Sequence, residues 1–176
     1  MDNIIKNLFE KISSYDIFNN FFPGIVFCSI IKQISRFSFS SEEILEKLFL
    51  YYFIGMVISR IGSIIIEKLL KWTNIIEFAP YNDYIEASKE EPFIKDLSEK
   101  NNIYRTIIAM SVIILGVKLY DLIVALYTSN SCWFSDLIFS FIFLVITILF
   151  IYSYKKQTDY VRRRVEKYKL NKKNNQ

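Results

Sequence analysis

Chemistry in this chain falls to charged and amide side chains, because its 176 residues include no histidine and only two cysteines, Cys28 and Cys132. Without histidine there is no imidazole base for a nucleophile and no histidine metal ligand. Two distant cysteines make neither a CxxC motif nor a disulfide framework. The four glycines form no dinucleotide fingerprint, no Walker loop and no nucleophile elbow. Glu86, Glu90 and Glu91 read as the solvated face of a helix rather than an acid and base pair, which would need burial to split its pKa values. The residues therefore predict no enzyme, no cofactor and no metal.

What remains is charge in unusual places. Leu48 to Ile66 is an apolar run of nineteen residues interrupted only by Arg60, and a guanidinium there costs about 2.5 to 3.5 kcal/mol on insertion scales unless it reaches water or a partner. One reading lets it snorkel to the headgroups beside Glu67, one heptad on. The other makes it a pore-lining or gating charge. Around it Gly55, Ser59 and Ser63 recur every fourth residue, a spacing of small side chains that lets helices approach closely. Lys118 and Asp121 sit three apart within another apolar run, where they can neutralise each other. Alternatively, Asp121 joins Asp136 in an acidic ring at an outer mouth.

The tail from Lys155 to Gln176 carries nine basic and two acidic residues, with Arg162, Arg163 and Arg164 consecutive and Lys167 close by. Such a segment attracts anionic lipid or a polyanionic ligand through its phosphates. Tyr154, Val161 and Tyr168 repeat at sevens, a seam able to hold several tails together.

These groups are positioned by an unusually apolar scaffold: 52% of residues are hydrophobic, 17% aromatic, and the mean hydropathy is +0.24. The apolar residues collect in four blocks. Leu137 to Tyr154 is eighteen residues without a formal charge, and Thr106 to Tyr127 and Leu48 to Ile66 are long enough to span as well. Phe21 to Ile31 is shorter, carries Pro23 and Gly24, and is expected to span obliquely, re-enter, or lie partly in the interface. Residues 1–18 place Ile5, Leu8, Phe9 and Ile12 on one face of an amphipathic helix, which is not a signal peptide. Pro80 and Pro92 bracket a helix from about Asn82 to Glu91, and Ser98 is placed to cap the helix that enters the third span.

Of the 22 basic residues, 17 lie in segments 1–20, 67–105 and 155–176. The positive-inside rule therefore puts both termini and the 67–105 loop in the cytoplasm. The expected organisation is all-α: an amphipathic helix at 1–18, a four-span domain at 19–154 with a helical loop at 67–105, and a basic cytoplasmic tail at 155–176 that forms a C-terminal helix. Richness in Ile, Asn, Lys, Phe and Tyr suits a low-GC bacterium and its inner membrane.

Two stretches, Tyr15-Asp-Ile-Phe-Asn-Asn-Phe-Phe-Pro-Gly24 and Leu97-Ser-Glu-Lys-Asn-Asn-Ile-Tyr-Arg105, together with this topology, make the chain resemble the small multi-pass effectors of bacterial anti-phage defence systems, among them the Hailong channel effector. The resemblance implies a homo-oligomeric channel, fourfold in symmetry. Its cytoplasmic parts would bind an oligonucleotide from a partner nucleotidyltransferase, and its opening would depolarise the infected cell. Ligand phosphates would be expected at the basic tail and at Lys100, Asn101, Asn102 and Arg105. From the residues alone, Arg60 with Gly55, Ser59, Ser63, Lys118 and Asp121 are the pore or gate candidates. The alternative is a non-conducting anchor that recruits a soluble partner through the 67–105 loop and the tail. A holin-like toxin is a third class.

Overall fold

The computed structural model describes residues 13–34, 43–128 and 133–174. The amphipathic segment 1–12, Cys132, and the side chains of Tyr127, Trp133 and Asp136 lie outside the described residues. Five helices make up the rest: α1 (Ser14–Ile34), α2 (Ile44–Trp72), α3 (Tyr81–Glu90), α4 (Pro92–Thr128) and α5 (Trp133–Asn174). The protein is all-α, and α1, α2, α4 and α5 are each long and apolar enough to cross a membrane.

Local chemistry starts and stops these helices. Ser13 opens α1 by accepting the Asp16 amide on its Oγ at 3.1 Å. Thus Ser14 to Phe18, expected in a separate amphipathic helix, are the first turns of a 21-residue span. The Phe21 to Ile31 block belongs to this longer helix, which continues through Pro23 after a π-helical turn over Ile17–Phe21 and is long and apolar enough to cross a membrane. At the other end of α2, Asn74 takes a left-handed conformation (φ 55°). Its amide bonds the Lys71 carbonyl and the Ile75 amide reaches back to Leu70, both at 3.0 Å, closing the helix as a Schellman motif. Pro80 precedes α3, and Pro92 begins α4, where the missing amide costs nothing. Ser98 does not cap α4. It lies inside the helix, with its hydroxyl on the Ile94 carbonyl, because Pro92 has already begun it.

With 37 residues in α4 and 42 in α5, each helix runs roughly 55 to 63 Å at 1.5 Å per residue, about twice the thickness of a hydrocarbon core. They pack antiparallel along their length, pairing Gln157 with Leu97, Tyr104 with Phe150, and Lys118 with Phe139. The apolar part of the pair joins α1 and α2 around Ile58, Ile66, Leu70, Ile108, Ile114 and Phe143. The polar part joins α3 around Ala87, Ile94, Leu97, Val161 and Val165. Phe49, Phe53, Ile64 and Ile65 of α2 and Phe141 and Ile148 of α5 stay exposed, as surfaces facing lipid do.

Candidate functional site

Where α1, α2 and α4 meet, polar side chains are buried together. Asn19 and Asn20 sit inside the π-helical turn of α1 and are both buried. The Asn19 amide donates to Asn20 Oδ1 at 2.8 Å and to Ser59 Oγ of α2 at 3.0 Å, while its Oδ1 lies 2.9 Å from the Thr106 hydroxyl of α4. One asparagine thus uses both donors and its acceptor to join three helices. Below it, the Asn102 amide donates to the Tyr15 hydroxyl at 3.0 Å. Buried polar groups in an apolar bundle demand such partners, and π-helical turns gather at functional positions. A second π-helical turn, Gly62–Ile66, lies on α2 just beyond Ser59. Asn19→Ala strips partners from Ser59 and Thr106 and is expected to cost about 1 kcal/mol. Thermal unfolding in detergent measures this; an unchanged midpoint would show that the network contributes nothing.

About two turns along α2 from Ser59, Arg105 Nη1 meets Glu67 Oε2 at 2.5 Å, and Lys71 meets the other carboxylate oxygen at 2.9 Å. The buried Tyr154 of α5 lies beside this pair. Arg105 Nε, Asn101 Oδ1 and Thr158 Oγ1 are buried without a hydrogen-bond partner. The four α4 residues expected to hold phosphate therefore do not form a site together. Arg105 is consumed by Glu67, Asn102 by Tyr15, and Asn101 is buried; Lys100 alone is exposed. The helical period explains this, since positions 101, 102 and 105 turn towards the bundle and 100 away from it.

The basic tail is also divided. Arg162 pairs with Glu77, Arg164 with Glu91 (2.8 Å), Lys169 with Asp83 (2.7 Å), and Lys172 with Glu86. The hydrogen bond to Glu91 raises the Arg164 guanidinium above its ordinary pKa, and that to Glu86 raises the Lys172 ammonium. Glu86 and Glu91 are thus not simply a solvated face. Arg163 and Lys167 remain exposed. The heptad residues Tyr154 and Val161 are buried and Tyr168 is half-buried, packed within the same chain, so this seam is intramolecular.

Of the pore candidates, Gly55 and Ser59 face α1, Ser63 is half-buried, and Gly62 instead of Ser63 meets α4 at Arg105. Lys118 is buried with its ammonium 5.4 Å from the centre of the Phe139 ring, and Asp121 is half-buried. Arg60 is exposed, and among the described residues it makes no ion pair. Glu67, the expected helper of Arg60, is held by Arg105 and Lys71. Sequence reasoning missed Asn19, Asn20 and Thr106, although two adjacent asparagines before an apolar run were a visible signal.

Compared with protein-family models, curated proteins and solved structures, the chain has no match.

Proposed function

We propose that this chain is one subunit of a homo-oligomeric channel in a bacterial inner membrane, with both termini and the 67–105 loop in the cytoplasm, gated there by an anionic, phosphate-bearing signal. The observation that supports this reading is Arg60. It lies eight residues before Lys68, about 12 Å along the helix, on the face of α2 opposite Gly55, Ser59 and Gly62, whose side is filled by α1 and α4. A guanidinium turned outward at that depth is stabilised by a water-filled path or by a second copy of the chain. The four packed spans are filled by their own side chains, so a conduction path belongs between subunits, with Arg60 near the gate. Nucleotide or oligonucleotide control, a fourfold assembly, and a role in depolarising phage-infected cells follow from the resemblance to defence effectors.

A ring of arginines favours anions. Arg60→Glu in proteoliposomes is expected to shift the reversal potential towards cation selectivity, and Arg60→Ala to abolish or alter the depolarisation that the wild type causes in cells at matched membrane levels. A monomer in detergent together with an unchanged membrane potential, even when the genomic neighbours are co-expressed, would favour the non-conducting anchor.

A further inference from the structure

Beyond the apolar segment, the charges of α5 are sorted by helix face. The buried line Tyr154, Thr158, Val161 and Val165 packs inward, and the paired Arg162, Arg164, Lys169 and Lys172 flank it against carboxylates of 77–91. On the opposite face run Tyr152, Lys156, Tyr160, Arg163 and Lys167, at spacings of four, four, three and four residues and all exposed. Its three cations make no ion pair among the described residues.

The surface there is concave. A cavity of about 570 Å³ is lined by Lys155, Lys156, Tyr160 and Arg163, with Tyr104 of α4 as its wall. A second of about 480 Å³ shares Tyr160 and Arg163 and continues to Lys167. Of the carboxylates lining them, Glu91 is held by Arg164 at 2.8 Å, while Asp159 lies 4.0 Å from Arg162. A guanidinium able to make a two-pronged contact, ammonium groups acting as point charges, and tyrosine hydroxyls and rings are the equipment of phosphate recognition.

We propose that this outward face of α5, from Lys156 through Arg163 to Lys167, is a phosphate-binding site. It locates the anionic signal of the channel reading and rests on that reading for its cytoplasmic side, while the binding itself does not depend on conduction. Two sources of phosphate fit its inner end. Lys155 and Lys156 follow the charge-free Leu137–Tyr154 segment directly, at the level of lipid headgroups. Lys167 lies about 16 Å further along the helix, beyond a headgroup layer of roughly 5 to 8 Å. A phospholipid therefore reaches only the first cavity, whereas a soluble polyphosphate spans both.

The test uses the purified full chain in nanodiscs. Retention of phosphatidylglycerol from an equimolar mixture with phosphatidylcholine is read by native mass spectrometry. Binding of inorganic tripolyphosphate to phosphatidylcholine discs is read by calorimetry. The triple variant Lys156→Gln, Arg163→Gln, Lys167→Gln is compared with Lys169→Gln, Lys172→Gln, whose paired side chains line neither cavity, and the melting of each is recorded. The triple variant is expected to lose on the order of a hundredfold in affinity, about fivefold per cation, while melting as the wild type does. The paired-face variant keeps its affinity, and because its ion pairs are largely exposed it melts close to the wild type. Sensitivity of lipid retention to Lys156→Gln but not to Lys167→Gln identifies a headgroup as the source; tripolyphosphate binding sensitive to both identifies a soluble anion. Absence of both ligands from the wild type, or equal losses in the two variants, overturns the site. Conduction is not read here, so a protein that conducts but binds neither ligand defeats this site alone, and one that binds without conducting defeats only the channel.

Discussion

Gly55→Ala is expected to eliminate most of the folded protein, although it adds a single methyl group. A Cβ at Gly55 would lie 1.6 Å from the Asn20 carbonyl oxygen, and one at Gly24 would lie 1.8 Å from that of Tyr51. Both clashes are with backbone, so no side-chain rotation relieves them: α1 and α2 must separate. Separation would also pull Asn19 from Ser59, a bond of 3.0 Å. Membrane helices associate through close packing and interhelical hydrogen bonds, because lipid is as apolar as their side chains. The expected loss is at least about 3 kcal/mol, the upper end of ordinary overpacking. Gly24→Ala should behave alike. Gly116→Ala is the control, since its added Cβ meets no heavy atom within 4 Å; it should be neutral or stabilising by up to about 1 kcal/mol through helix propensity. Size-exclusion profiles and melting in detergent compare the three. A Gly55→Ala protein that melts with the wild type would show that α1 does not pack on α2 in this way.

Glu67→Ala is expected to have the second-largest effect. The carboxylate holds Arg105, whose side chain is 13% exposed, and its own side chain is only 20% exposed. Removing it strands a guanidinium whose Nε already lacks a partner, next to the buried Tyr154. Losing one member of a buried pair costs 3 to 5 kcal/mol, and partial solvent access argues for about 3 kcal/mol here. Glu67→Gln keeps an acceptor and should cost less. Adding Arg105→Met to Glu67→Ala should recover most of the loss, because an apolar side chain of similar length needs no partner. A double variant no more stable than Glu67→Ala would sink the pairing as the cause.

How far the chain could be read in advance depends on the range of the forces concerned. Hydropathy and net charge are properties of consecutive residues, so four apolar blocks, the all-α class and the Pro80 and Pro92 boundaries were legible from composition and punctuation. A helical tail was legible too, but not its continuity with the fourth span: charged residues end a hydropathy window at Tyr154 without ending a helix, and α5 continues unbroken to Asn174. The first span was undervalued because Asn19 and Asn20 look like flanking polar residues until Ser59 and Thr106 are brought to them from 40 and 87 positions away.

The tail teaches the same lesson in charge. Its count of nine basic residues is written in the sequence, but which of them are neutralised depends on Glu77, Asp83, Glu86 and Glu91, all more than 70 positions earlier. Likewise Gly55 and Ser59 announced a close helix contact by their spacing, while the partner, Gly24 of the same chain, was chosen by the packing. By itself the sequence determined which segments are apolar, where helices are punctuated and how much charge each carries, because those free energies add along the chain. Only the tertiary structure decided that Arg105 is spent on Glu67, that Arg60 faces out, and that Lys156, Arg163 and Lys167 share one uncompensated face. Pairing is a property of residues far apart in the chain, and no local sum contains it.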